Sequence, residues 1–154
     1  MEDIIFSNHT MSASIHHHIT GCTPMKVLLV EDSVLIRNAL MEILISSPDI
    51  TIDGIAATQK NAIELLDEKQ FDMLLVDIEL AQGNGFEVIR HTQRDGYPFT
   101  APVFVMLTNH AHPQYRTLAK NLGVKHFFDK SMDFDLAIET IETEAARFSH
   151  HLDK

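Results

Sequence analysis

"LLVDIELAQGNGFEVIR", residues 74 to 90, is an aliphatic run that stops abruptly at a carboxylate, Asp77, and then passes through a short loop with two glycines. A short continuous apolar run suits a strand covered on both faces. Phe86, Val88 and Ile89 then resume with the spacing of a helix. An acid at the tip of a core strand can be a helix cap, a metal ligand or a nucleophile. What stands at the ends of the other apolar runs decides among these.

The same alternation extends in both directions. "MKVLLV" (25–30) reads as a first strand, and Ile36, Ala39, Leu40, Ile43 and Leu44 follow at helical spacing. Ser33 or Asp32 can cap that helix, and Pro48 lies just beyond its end. "ITIDGIA" (50–56) is a second strand, placed near an edge because Asp53 and Gly54 interrupt it. Ala62, Ile63, Leu65 and Leu66 suggest a helix before "MLLVD" (73–77). Beyond Gly96, Pro98 and Pro102 come "VFVMLT" (103–108), a helix opened by Pro113 and stopped by Gly123, and "VKHFFD" (124–129). Phe134, Ala137, Ile138, Ile141, Ala145 and Phe148 form the apolar stripe of a last helix. Five strands alternating with five helices predict a doubly wound, mostly parallel sheet, whose ligands sit outside the carboxyl ends of the strands.

Those ends carry Glu31-Asp32, Asp77, Thr108 and Lys130. Each alone is unremarkable as a strand end, but the ordered set is not. Carboxylates crowded on one edge repel unless a hard divalent cation neutralises them. A carboxylate beside Mg²⁺ can attack phosphorus to give an acyl phosphate. Such a transfer needs positioning and charge neutralisation, which a metal, a lysine and a hydroxyl supply.

Composition narrows the classes further. The chain of 154 residues is one domain's worth, with 22 acidic against 12 basic residues and no basic stripe, which argues against DNA binding. Cys22 is the sole cysteine, so a reducing, cytoplasmic setting is expected. Residues 1–24 hold no Lys or Arg and read as a flexible tail, with His16-His17-His18 solvated rather than metal-bound. No apolar run approaches the ~18 to 20 residues that a membrane span needs, so no membrane insertion is expected. The domain is expected at 25–150, with a C-terminal tail at 151–154.

The ordered motifs "VLLVEDS", "LLVDIEL", "VMLT" and Lys130 resemble those of the response regulator receiver family of two-component signalling, over about residues 25 to 148. The resemblance implies a flavodoxin-like (βα)5 fold with strand order 2-1-3-4-5. It makes Asp77 the phosphorylated aspartate. It assigns Mg²⁺, or Mn²⁺, to Asp32, Asp77, the Glu79 backbone carbonyl and, through water, Glu31. Lys130 pairs with the phosphoryl group, Thr108 is the hydroxyl that reorients toward it, and Phe127 is the aromatic switch, although Phe127 and Phe128 also read as plain core residues. Gly85 and Glu87 match the pattern after the phosphoacceptor loop.

Three positions are expected to tune the lifetime of the acyl phosphate: Glu79, Asn109 and His110. Two departures stand out. Ala81 replaces a usual proline and is expected to loosen its loop. Ser131 follows Lys130 where the family has proline, often cis. A cis bond before a non-proline residue costs ~3 kcal/mol or more, so a trans or visibly strained bond is expected.

With few residues after the fifth helix, a stand-alone receiver is expected, not an enzyme beyond its own phosphorylation and dephosphorylation. Its implied partners are a sensor histidine kinase or histidine phosphotransfer protein and a downstream protein effector at the surface of helix 4, strand 5 and helix 5. Alternatives are a phosphorelay intermediate, a non-phosphorylated scaffold and a Mg²⁺ phosphohydrolase. The last fits poorly, because its nucleophile ordinarily lies on the first strand beneath a cap.

Overall fold

The computed structural model describes residues 23–152, with side chains described to residue 150. The tail at 1–22, including His16-His17-His18, and residues 153–154 lie outside the described residues. Five strands, β1 (Met25–Val30), β2 (Ile50–Ala56), β3 (Met73–Val76), β4 (Val103–Thr108) and β5 (His126–Asp129), alternate with five helices. These are α1 (Val34–Leu44), α2 (Gln59–Glu68), α3 (Gly85–His91), α4 (Pro113–Asn121) and α5 (Phe134–Leu152), the last running two residues past 150. All pairings are parallel and the order is β2-β1-β3-β4-β5, the doubly wound flavodoxin-like arrangement.

Period-two alternation divides the strands between two cores. Leu28, Val30, Leu74, Val76 and Met106 face one side, with Ala62 and Leu66 of α2, Val88 and Ile89 of α3 and Ala119 of α4. Val27, Leu29, Leu75, Val105 and Phe128 face the other, with Leu40 and Leu44 of α1 and Ala137, Ile141 and Ala145 of α5. Each large aliphatic side chain fully withdrawn from water here contributes roughly 2 kcal/mol.

The irregularities have local causes. Ser33, not Asp32, caps α1, its side chain accepting from the Ile36 N–H at 3.3 Å, which leaves Asp32 free for other work. β2 is an edge strand with a bulge: Val27 pairs with Ile52 and Leu28 with Gly54, so Asp53 is skipped. A Cβ on Gly54 would fall 3.0 Å from the Phe71 ring. β5 begins at His126, two residues later than expected, because Val124 donates its N–H to the Ala119 carbonyl (3.0 Å) in closing the end of α4. Gly123 makes that turn at φ +88°.

Candidate functional site

Strand register carries the reactive groups to one edge. The Glu31 N–H donates to the Ala56 carbonyl (2.9 Å), that of Asp77 to Val30 (3.1 Å) and that of Lys130 to Thr108 (2.9 Å). With Val76 of β3 paired to Met106 of β4, the tips of β2, β1, β3, β4 and β5 are brought to one edge. The Lys130 ammonium lies 2.8 Å from Asp77 Oδ2 and 2.9 Å from Glu31 Oε1, with all three side chains at most 7% exposed. Glu31 Oε2 also accepts from the Ser33 N–H (3.0 Å), and Arg37 donates to the Glu31 carbonyl (2.9 Å). Arg37 holds the acidic turn from within α1, a role its place in the helical repeat does not advertise.

Glu31, Asp32 and Asp77 each offer an oxygen within 4.8 Å of the others. Glu31 and Asp77, both buried, share the Lys130 ammonium, and Asp32 is exposed beside them. Burial raises the Glu31 pKa, against the opposing hydrogen bond from Lys130. Burial would lower that of Lys130, but hydrogen bonds to Asp77 and Glu31 more than offset it and leave it raised. Asp77 Oδ1 is buried with no hydrogen-bond partner among the described residues. An unsatisfied buried acceptor costs roughly 1–3 kcal/mol unless something occupies it. An orphan carboxylate oxygen beside two further acids is the donor set that a hard, oxygen-seeking divalent cation takes, so these residues fit Mg²⁺.

The cleft over this cluster has a volume of about 480 Å³ and is lined by Asp32, Asp77, Glu79, Asn109, His110 and Lys130 among others. A larger groove of about 830 Å³ runs along α5 at the other end of the sheet and is lined by Asp72, Glu139, Glu142, Glu144 and Arg147 among others, but among the described residues only Glu31, Asp32 and Asp77 bring three acidic oxygens within 4.8 Å of one another. Volume alone would therefore mislead. Glu79 Oε1 reaches His110 Nε2 at 2.5 Å, spanning the cleft between the loops that follow β3 and β4. Thr108 is fully buried, and its Oγ1 accepts from the His110 N–H (3.1 Å). Asn109 is exposed on the rim.

Phe127 lies outside the cleft. It is half-buried against the α2–α3–α4 core, with the Arg116 guanidinium of α4 4.7 Å above its ring. The two departures also resolve. The bond before Ser131 is trans. The turn is held instead by Asp129 Oδ1, which accepts from the Ser131 N–H (2.9 Å) and hydroxyl (2.7 Å), and Lys130 still reaches both acids. Ala81 does not leave its loop untied, because its N–H, which a proline would lack, donates to the Ala57 carbonyl (3.1 Å). Gly85 is needed for close approach, since a Cβ there would fall 2.1 Å from the Asp77 carbonyl.

The model of the response regulator receiver domain matches residues 27–142. A protein-glutamate methylesterase/protein-glutamine glutaminase of Koribacter versatilis is 28% identical over 79% of this chain and 33% of its own length. The sensory transduction protein LytT of Bacillus cereus is 29% identical over 77% of this chain and 46% of its own. The chain thus spans less than half the length of either curated relative. The response regulator domain of Thermotoga maritima CheB superposes with a TM-score of 0.69 at 22% identity, covering 83% of this chain and 98% of that one. A CheY-like receiver from Methanospirillum hungatei gives 0.67 at 20% identity, covering 84% and 99%. A five-stranded parallel α/β domain with an acid-lined cleft at its strand tips defines the class, and the chain belongs to the response regulator receiver family.

Proposed function

We propose that this domain accepts a phosphoryl group on Asp77 and converts it into a change of surface that another protein reads. The observation that carries this reading is the Asp77 carboxylate itself: one oxygen held by Lys130, the other buried and without a partner among acids that fit a divalent cation. In the transfer, a bond forms between an Asp77 carboxylate oxygen and phosphorus. The bond from phosphorus to the donor's leaving atom breaks, its electron pair departing with the donor. Asp32 and Asp77, the Glu79 carbonyl and, through water, Glu31 would hold Mg²⁺. Bound there, Mg²⁺ supplies neutralisation of charge on the transferring group.

Lys130 supplies the protein's own share of that neutralisation, already poised 2.8 Å from Asp77. The Thr108 hydroxyl is the group that turns toward the phosphoryl oxygens, and doing so breaks its bond from the His110 N–H. The Glu79–His110 contact opposes that movement and narrows access to the cleft, so both residues, with Asn109, set the lifetime of the acyl phosphate. Phe127 transmits the change to α4 through Arg116. Donors of the expected chemistry are a phosphohistidine on a sensor kinase or on a histidine phosphotransfer protein. The surface of α4, β5 and α5 is where the downstream protein binds, and phosphorylation matters only if that protein prefers one conformer.

The test is intact mass after incubation with Mg²⁺ and a small phosphodonor. The expected result is a gain of one phosphoryl group, labile to hydroxylamine and absent in Asp77→Asn. Folded, metal-replete protein that gains no mass from either a small donor or a phosphohistidine would reject the reading.

A further inference from the structure

The loop that follows Asp77 is laced to the start of α2 by backbone bonds and by the side chains of Gln59 and Gln82. Gln59 is the first residue of α2, after the cap residue Thr58. Its Oε1 accepts from the Asn84 N–H at 3.0 Å, and its own N–H donates to the Gln82 carbonyl at 2.9 Å. Its side chain fills the space over Gly83, where a Cβ would fall 2.2 Å from Gln59 Oε1 and 2.4 Å from its Cβ. Gly83 adopts φ +79°, a conformation that glycine takes without penalty.

The dependence is mutual. Gln82 satisfies two of the N–H groups that α2 leaves unpaired at its start, the Gln59 N–H through its carbonyl and the Lys60 N–H through Oε1 (3.3 Å). Loop and helix therefore cap one another.

From Asn84 the connection runs straight to the reactive centre. Asn84 bridges Glu79 across the loop, and the Gly85 N–H donates to the Ile78 carbonyl at 2.8 Å. Those contacts fix the backbone of Ile78 and Glu79, the two residues after Asp77. We propose that Gln59 is a positioning residue for phosphoacceptor chemistry: it holds the Glu79 segment in register with Asp77, in place of the rigidity a proline at position 81 would give. This rests on the receiver reading above, and it places the control of a metal-binding loop in a residue that lines no part of the cleft.

The experiment is a Mg²⁺ titration of the full chain, followed by amide NMR, with Gln59→Leu and Gln59→Glu beside wild type. Leu removes the acceptor at similar volume, whereas Glu keeps an acceptor facing the Asn84 N–H. Removing an outer-shell partner typically weakens metal binding 10- to 100-fold, and with the tie lying one loop away the expected loss in Q59L is about 10-fold, with Q59E within about twofold of wild type. The Asn84 amide should exchange faster with solvent in Q59L and not in Q59E, with both variants fully folded at the temperature of the titration. Gln59→Met, equally without an acceptor, substitutes if Q59L does not fold. Wild-type affinity in the folded, acceptor-free variant would overturn the inference and leave the receiver reading standing. Wild type that takes up no Mg²⁺ would overturn both.

Discussion

At the tips of β1, β3 and β5 two buried carboxylates share one ammonium, while on β5 and α5 one buried carboxylate, Glu144, takes two basic partners, Lys125 at 2.9 Å and His126 at 2.8 Å. The stoichiometry is inverted and so is the electrostatic outcome. Burial prevails at Glu31, whose pKa is raised. Burial opposes ionisation at Glu144 as well, but its hydrogen bonds from Lys125 and His126 outweigh it and hold the carboxyl below its usual range. The first centre is short of positive charge and, among the described residues, leaves an oxygen of Asp77 unpartnered. The second is satisfied by the protein alone. A buried acid is thus no sign of function by itself; a deficit of counter-charge is.

The sharpest way to break this contrast is to remove the ammonium that the two buried carboxylates of the first centre share. Lys130→Met should cost about 3 kcal/mol in metal-free solution, the lower end for a broken buried pair because the cleft is open on one side. Urea unfolding reads it, and Mg²⁺ should narrow the gap to wild type. An undiminished stability would mean that Asp77 and Glu31 do not depend on Lys130.

Next in size is the metal. At about tenfold its Kd, Mg²⁺ should stabilise wild type by about 1.4 kcal/mol and Glu144→Gln equally, but not Asp32→Asn. Equal stabilisation of Asp32→Asn would show that the ion binds elsewhere.

Glu144→Gln should itself cost about 1 kcal/mol near neutral pH, the value of a weakened hydrogen bond to a charged group. Its pH dependence follows from linkage: a carboxyl depressed in the folded state adds stability above its unfolded pKa, lost as pH falls through the folded one. The gap between E144Q and wild type should therefore close in acid, and thermal melts across that range would show it. A gap that persisted would place Glu144's contribution in packing.

Smallest is Lys125→Ala. The Lys125 side chain is half exposed, so its loss should cost no more than about 0.5 kcal/mol and fade with added salt.

Much of the site was legible because each of its reactive groups ends an apolar run. The parallel winding that those runs imply brings all such ends to one edge, so Asp32, Asp77, Thr108 and Lys130 are readable from position alone. What escaped are partnerships between side chains far apart in sequence: Gln59 with Asn84, His91 with Asp67, His110 with Glu79 and His126 with Glu144. Helical and strand periodicities report only which residues share a face, not who meets whom across a connection. Ala81 shows a related blindness. The missing proline ring is visible in the sequence, whereas the N–H that alanine restores becomes meaningful only once Ala57 is known to lie beside it. At β5, Val124 continues the apolar run but spends its N–H at the end of α4, so composition overstates the strand by two residues.

The bulge at Asp53 has a consequence for how this sheet meets other chains. An edge strand is a template for aggregation when it offers a long, flat row of free donors and acceptors. β2 breaks that row at Asp53, whose carboxylate lies 3.6 Å from the Lys69 ammonium. The other edge, β5, is four residues long and preceded by the half-exposed Lys125. Within the described residues, neither border offers a long, uninterrupted row of free donors and acceptors. Cross-β growth is disfavoured at both borders of the sheet.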